Sequence, residues 1–278
     1  MSFIKRKIGK YWMWLNPKDH GVGHRLLAVG SREPCFLWMI EHSAAGLGLD
    51  VGANVGQNTL YMSKRCNKII AIEPDVRSSR MLKFNLALNN IRCVTVLNCI
   101  VSDTVGTQSV YITKKPNLNS IMKPETKTNV VDTREFECTT IDKLLSSENL
   151  DSGLFIKMDI EGAEVKALRC AHKTLIRKCD IRILMELHPV HYTRNNNMKE
   201  QIQWLIGNGF HFKYIENAKG KESVFNTEDI VKTFPGHPRS VYRYTERTLP
   251  HTIDKCCDLD ADGKKFVRSV LLEKLCTG

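Results

Sequence analysis

The stretch Leu49-Asp50-Val51-Gly52-Ala53-Asn54-Val55-Gly56-Gln57-Asn58 constrains this chain more than any other. It follows a run of small and apolar residues, Ala44 to Leu49, and opens into a helical pattern over Thr59 to Arg65. The reading is a strand, a glycine-bearing turn and a helix, which together present bare backbone N–H groups and a helix N-terminus to a ligand. A second apolar strand, Ile69-Ile70-Ala71-Ile72, ends in Glu73-Pro74, seventeen residues beyond Gly56. A carboxylate at that point accepts hydrogen bonds from both hydroxyls of a ribose. A chain that begins its sheet this way is built to hold an adenosine-containing molecule.

The glycine pattern narrows the choice. A dinucleotide site needs G-x-G-x-x-G, each glycine with its own steric role. Here the run is Asp50-x-Gly52-x-Asn54-x-Gly56, with Asn54 at the middle position and Gln57 at the third. Both side chains crowd a pyrophosphate. Asp50, just ahead of the loop, repels a phosphate and suits an ammonium or a sulfonium. The pattern favours S-adenosylmethionine (SAM), which carries both cations and no phosphate, over a nicotinamide dinucleotide.

Strand and helix patterns alternate from residue 46 onward, with strands at 47–51, 68–72 and 93–99 and helices at 57–65 and 76–89. Such alternation argues for a parallel sheet covered on both faces. Strands follow at 109–113 and 135–140, separated by a polar stretch, 114–134, that reads as a surface loop and a candidate substrate lid. Strands at 154–158, 181–187 and 210–215 then alternate with helices at 163–178 and 198–208. Beyond 216 only a strand at 240–244 and a helix at 264–274 carry a pattern. The expected organisation is a lead-in over 1–45, a cofactor-binding domain over 46–215 and an extension over 216–278. In the lead-in, Ile4, Ile8, Tyr11, Trp12 and Leu15 fall at helical spacing, with Lys5, Arg6, Lys7 and Lys10 elsewhere on the wheel. That predicts a helix packed on the domain, with peripheral membrane contact through residues 3–15 as the rival reading.

Net charge is +11, a balance that often accompanies contact with nucleic acid or anionic membrane, but it is spread along the chain without the aromatic-and-basic alternation of RNA-binding modules. None of the ten cysteines forms a C-x-x-C pair and no histidine is spaced near them as a zinc site requires, so they read as reduced and structural. No apolar run approaches the roughly 20 residues of a membrane span, and no secretory pattern opens the chain; the expected location is cytoplasmic.

The second informative run is Asp159-Ile160-Glu161-Gly162-Ala163-Glu164, at the C-terminal end of a central strand, where ligands of open α/β sheets bind. Lys157, two residues earlier, shares a face with Asp159 and needs a carboxylate partner inside an apolar strand. Glu164 reads as a complement to a helix dipole. Met185-Glu186-Leu187-His188-Pro189 ends the next strand, with Glu186 and His188 on one face. Asp159, Glu161, Glu186 and His188 are therefore the catalytic candidates. His188 is the favoured general base, with Asp159 or Glu186 orienting it. A second version places a hard divalent cation such as Mg²⁺ on Asp159 and Glu186.

Leu49 to Asn58, Ile72-Glu73-Pro74, Val101-Ser102-Asp103, Thr140-Ile141-Asp142 and above all Ile156 to Glu164 resemble the FkbM family of SAM-dependent methyltransferases, over roughly residues 46–215. The resemblance implies a doubly wound, mostly parallel seven-stranded Rossmann-like α/β sheet and methyl transfer to a hydroxyl of a sugar or natural product. It places Asp50, Gly52, Ala53, Asn54 and Gly56 around the methionine part of SAM, Glu73 on the ribose, and Ser102 and Asp103 at the adenine edge. The expected reaction is O-methylation of a glycan or similar small molecule. RNA methylation is the alternative suggested by charge, against which Glu186 and His188 stand where a ribose-methylating site wants lysine. A non-catalytic, SAM-binding or membrane-associated scaffold is the third reading.

Overall fold

In the computed structural model, residues 3–19, 21–113, 121, 130–218, 229–245, 249–259 and 262–276 are described. The chain opens with β1 (Ile4–Ile8) and β2 (Tyr11–Leu15), followed by α1 (Val22–Val29), α2 (Pro34–Ser43) and β3 (Gly46–Val51). Next come α3 (Gln57–Met62), β4 (Cys66–Ile72), α4 (Val76–Leu88), β5 (Val94–Leu97), β6 (Ile100–Val101), β7 (Gly106–Thr113) and β8 (Val130–Thr139). The second half holds α5 (Ile141–Leu144), β9 (Leu154–Met158), α6 (Glu164–Arg169), α7 (His172–Leu175), β10 (Ile181–Glu186) and α8 (Met198–Gly207). It closes with β11 (His211–Ala218), β12 (Ile230–Thr233), β13 (Arg239–Arg243), α9 (Leu249–Cys257) and β14 (Val267–Lys274).

The main sheet runs β12-β13-β11-β14-β10-β9-β3-β4-β5. From β5 to β10 each neighbour is parallel, and β14 is antiparallel to both β10 and β11. The expected doubly wound α/β class is the observed one, with nine strands rather than seven because β12 and β13 lengthen one edge. Alternate residues feed two cores, as the two-residue period of a strand requires. Leu47, Leu49 and Val51 face one core with Ile156, Ile183 and the helices α5 to α9. Phe155, Leu184 and Leu271 face the other, under the N-terminal hairpin and α1 to α4.

Three sequence expectations are corrected. Residues 3–15 form a hairpin, not a helix: β1 and β2 pair antiparallel around a two-residue turn in which Gly9 takes φ +56°. Met13 and Leu15 are buried while Trp12 and Trp14 are exposed, so the period is two, and aromatic residues suit a half-buried pleated surface. The membrane-contact reading thereby loses the amphipathic helix on which it rested. The hairpin docks through side-chain amides: Asn89, which caps the end of α4, accepts from Trp12 N (3.1 Å) and donates to Trp12 O (2.7 Å), and Asn85 of α4 accepts from Trp14 N (2.7 Å).

The segment 264–274 supplies β14, not a helix. Its run Val270-Leu271-Leu272 is buried throughout because β10 and β11 flank it, and an unbroken apolar run does not reveal its period. Residues beyond 216 therefore enter the same sheet as the cofactor-binding strands. The single helix expected over 163–178 is two, α6 and α7, because Asp142 accepts from Lys173 N (3.2 Å) and Thr174 N (2.7 Å) and starts a new helix there. The loop expected over 114–134 falls mostly outside the described residues, and 130–134 belong to β8. That strand joins β6 and β7 in a separate three-stranded sheet, order β6-β8-β7. Among the described residues no helix is long and apolar enough to cross a membrane, and the ten cysteines are free thiols.

Lys157 finds its carboxylate in Asp50, its register partner across β9 and β3. Nζ stands 3.1 Å from Asp50 Oδ1 and both side chains are buried, while Thr59 donates to Asp50 Oδ2 at 2.6 Å. Lys157→Met strands a buried carboxylate and should lower the free energy of unfolding in urea by about 3–5 kcal/mol. Adding Asp50→Asn, which keeps an acceptor for Thr59, should recover most of that loss. An equally unstable double variant would show that the stranded charge is not its source.

Candidate active site

The loop between β3 and α3 is shaped by close approach. Gly52 takes φ +80°, and a Cβ there would stand 2.1 Å from Asp159 O, so only glycine fits. Asn54 takes φ +50°, a conformation asparagine tolerates better than most residues. The N–H groups expected to be bare are not. Gly52 and Ala53 both donate to Ile72 O (3.0 Å each), Asn54 to Glu73 Oε2 (2.8 Å), Val55 to Asn54 Oδ1 (2.8 Å) and Gly56 to Ala53 O (2.9 Å). Five consecutive donors are satisfied within the protein, so the loop is no phosphate cradle. This agrees with a ligand that lacks a pyrophosphate.

Glu73 is buried at the end of β4 and accepts two backbone N–H groups, from Asn54 and from Asp75 (2.9 Å). Each carboxylate oxygen keeps a further acceptor site. Burial pushes its pKa up to about 7, against the pull of those two hydrogen bonds.

A cleft opens at the C-terminal ends of the strands. Gly52, Ala53, Asn54 and Glu73 line one part of it. Ile100, Val101, Val110, Ile112 and Phe136, from the small sheet and its approach, form an apolar wall. Glu33, Asp159, Glu161, Glu186 and Arg268 supply its charged wall. Four expected contacts lie behind these surfaces. Asp50 is fully buried against Lys157 and Thr59, and Gly56 packs on Leu82. Ser102 is buried and donates to Asp103 Oδ1 (3.0 Å), while Asp103 faces Lys166 at 3.9 Å. The apolar pair just before them, Ile100-Val101, reaches the cleft instead.

Asp159, Glu161, Glu186 and His188 do converge. His188 Nε2 lies 3.4 Å from Glu161 Oε2, 3.8 Å from Asp159 Oδ1 and 3.9 Å from Glu186 Oε1. Glu161 is brought there by a turn in which it takes φ +52° and Gly162 φ +96°. The sequence reading missed the group that holds the imidazole. Glu164 is fully buried, its Oε1 lies 3.0 Å from His188 Nδ1, and the same oxygen accepts from Ile160 N at 3.1 Å. Its spacing after Asp159 marked a helix start, and nothing local pointed across to β10. Lys265, just before β14, and Arg268, on it, were also missed. They bind Glu186 at 2.6 Å and 3.2 Å, and Arg268 also reaches Glu33 at 2.9 Å.

The electrostatics revise two roles. Burial alone would depress the His188 pKa, but the carboxylates of Glu164, Glu161 and Asp159 outweigh it and raise it to about 9. These carboxylates favour the charged ring at neutral pH, the form opposite to the general base expected from sequence. Burial also raises the Glu186 pKa, and the charges of Arg268 and Lys265 overcome it, so Glu186 stays ionised and neutralised by them. Asp159 and Glu161 are held above the usual carboxylate range, first by burial, then for Asp159 by the charges of Glu186 and Glu33 and for Glu161 by those of Asp159 and Glu186. Either is a better proton acceptor than a surface carboxylate.

The sequence model described as the methyltransferase FkbM domain matches residues 50–212. No curated protein sequence matches the chain. Solved structures to which the chain shows similarity include an rRNA methylase from Streptococcus thermophilus, with 10% identity, 86% of this chain and 93% of that one covered, and a TM-score of 0.40. A precorrin 8w decarboxylase from Methanobacterium thermoautotrophicum shows 16% identity, 83% and 96% coverage and a TM-score of 0.41. M. jannaschii TYW2 in complex with AdoMet shows 12% identity, 99% and 88% coverage and a TM-score of 0.41.

Because its folded pKa exceeds the unfolded value, His188 contributes stability that is complete below about pH 6.5 and fades as pH rises through about 9. An NMR titration of the imidazole should find it charged at pH 7, and Glu164→Gln should lower its midpoint. A midpoint near 6.5 in the parent protein would contradict this electrostatic account.

Proposed function

Since the chain belongs to the FkbM family and is a SAM-dependent methyltransferase, we propose that it methylates a hydroxyl of a carbohydrate or similar polyhydroxylated small molecule. The supporting observation is the sign of the cleft. On a chain of net charge +11, the residues lining it include six carboxylates, Glu33, Glu73, Asp75, Asp159, Glu161 and Glu186, against two guanidiniums, Arg32 and Arg268. Such a cleft draws in a cationic sulfonium and repels the phosphates of a nucleic acid. The overall charge favours RNA as a second reading, and the acidic lining disfavours it.

Bound SAM supplies an electrophilic methyl group on sulfur. The rest falls to the chain. Glu73 accepts hydrogen bonds from the ribose hydroxyls, and the apolar wall of Val110, Ile112 and Phe136 keeps water from the reacting atoms. Asp159, the more readily ionised of the raised pair, takes the proton of the acceptor hydroxyl as its oxygen bonds to the methyl carbon and the carbon–sulfur bond breaks. His188, already charged, stabilises the carboxylates beside it and keeps them in place. Asp50 acts from behind the loop, through Lys157, rather than by touching the ligand.

Incubation with methyl-labelled SAM and a panel of mono- and oligosaccharides and RNA should place the label on a sugar oxygen; label on RNA alone would overturn the acceptor class. Asp159→Asn should cut turnover by roughly 10²–10⁴ while leaving SAM affinity within a few-fold.

Calorimetry checks the cofactor assignment. Glu73→Gln should weaken SAM binding by about 1.5–3 kcal/mol for each charge-assisted hydrogen bond lost. The hydroxyls donate to the ionised carboxylate, so affinity in the parent protein should fall as pH drops through about 7, where Glu73 takes up a proton. NAD binding as tightly as SAM, or a flat pH response, would count against the assignment.

A further inference from the structure

We propose that Asp159, Glu161 and His188 form a binding site for one divalent first-row cation at the acceptor end of the cleft. Ligand atoms about 2.1 Å from one ion stand ~3.0–4.2 Å apart, depending on the angle between them. His188 Nε2 lies 3.4 Å from Glu161 Oε2 and 3.8 Å from Asp159 Oδ1, both inside that range. One ligand atom from each of the three residues lies within 4.8 Å of the others. The two nitrogen–oxygen separations exceed the ~2.7–3.2 Å of a normal N–H···O bond.

The imidazole is the independent sign. His188 is only 8% exposed, and its Nε2 makes no hydrogen bond among the described residues while it points between the two carboxylates. Its Nδ1 is 3.0 Å from Glu164, a fully buried carboxylate that Ile160 N holds in turn. A histidine that binds a metal through one nitrogen commonly gives its other N–H to a carboxylate, which fixes the ring and raises its basicity. Glu164, His188 and the space beyond Nε2 repeat that order; in the ion-free protein Nε2 carries a proton, which the incoming ion displaces to solvent as it binds.

A second trio, Glu33, Asp159 and Glu186, has similar spacing. There the negative charge is already met: Glu186 binds Lys265 and Arg268, and Glu33 binds Arg32 and Arg268. The side chains of Asp159 and Glu161 are 27% and 24% exposed toward the cleft, so an ion between them is reachable by an acceptor. Two oxygens and one imidazole nitrogen suit Mn²⁺ or a later first-row ion better than Mg²⁺ or Ca²⁺. Three protein ligands leave positions for two neighbouring hydroxyls of an acceptor. That use of the ion rests on the methyl-transfer reading above; its binding does not.

Mn²⁺ is the probe, measured by loss of its free-ion EPR signal on EDTA-treated, dialysed protein without SAM or acceptor. The expected result is one ion bound per chain. Asp159→Asn and Glu161→Gln, each checked by circular dichroism to be folded, should lose it. Glu164→Gln, which keeps the ring's neighbour but not its charge, should weaken binding roughly 10–100-fold. Glu33→Gln should retain the ion. An undiminished free Mn²⁺ signal in the parent protein would overturn the proposal, as would loss of the ion in Glu33→Gln with retention in Glu161→Gln. Methyl transfer is assayed separately, so a failed acceptor assignment and a failed metal site give different results.

Discussion

Lys157 carries its ammonium into the middle of the sheet, where β9 meets β3, and donates to Gly52 O (2.8 Å) while pairing with Asp50. Burying two charges costs several kcal/mol per ion before their attraction offsets it, so the pair is a weak source of net stability. What it contributes is position. Asp50 also holds Thr59 at the first turns of α3, and the Gly52 carbonyl lies at the start of the loop. One cation thus fixes two strands, the loop and a helix relative to each other. The Cα of Gly52 is then pressed so near Asp159 O that no side chain fits between them. The loop that faces the cofactor and the strand end that faces the acceptor are therefore set at one distance by packing, before any ligand arrives.

The cleft places opposite electrostatic demands on neighbouring carboxylates and meets them with different partners. Glu186 is ionised because Lys265 and Arg268 come to it from the β14 side of the sheet. Glu164 is held below the usual carboxylate range because the His188 charge and hydrogen bond overcome its burial. Asp159 and Glu161 share His188 with these two and are left the more basic pair. A set of like groups is divided into structural and reactive members by which cations reach them, and environments that drive pKa values apart are how acid and base roles are assigned.

Much of this was legible in the residues, and the boundaries of that legibility are physical. Alternation of strand and helix from residue 46 identified the parallel sheet and most of its strands, because each element carried its own period. Convergence of Asp159, Glu186 and His188 followed from the ends of neighbouring strands. The hairpin was misread because Ile4, Ile8, Tyr11 and Leu15 satisfy a helical wheel as well as a strand; Gly9 and the in-out order of Trp12 to Leu15 were the stronger signals. β14 was misread because a strand buried on both faces has no period to show. Glu164, Lys265 and Arg268 escaped because their partners lie 24, 79 and 82 residues away in sequence, on elements whose adjacency only the sheet order establishes.

That last failure explains why the C-terminal segment matters to the site. A sheet ending at β11 beside β10 would leave Glu186 without Lys265 or Arg268, and the carboxylates at the strand ends would repel one another with His188 as their nearest cation. Inserting β14 between those strands brings Arg268 within reach of Glu33, Glu186 and Glu216 together, at 2.9, 3.2 and 4.0 Å. Glu216 lies fully buried on β11 and takes a further bond from Ser269 (3.0 Å). The antiparallel strand is thus more than a filler of the sheet. It is the element that neutralises one wall of the cleft, at Glu33 and Glu186, while Asp159 and Glu161 are met from the other side by His188.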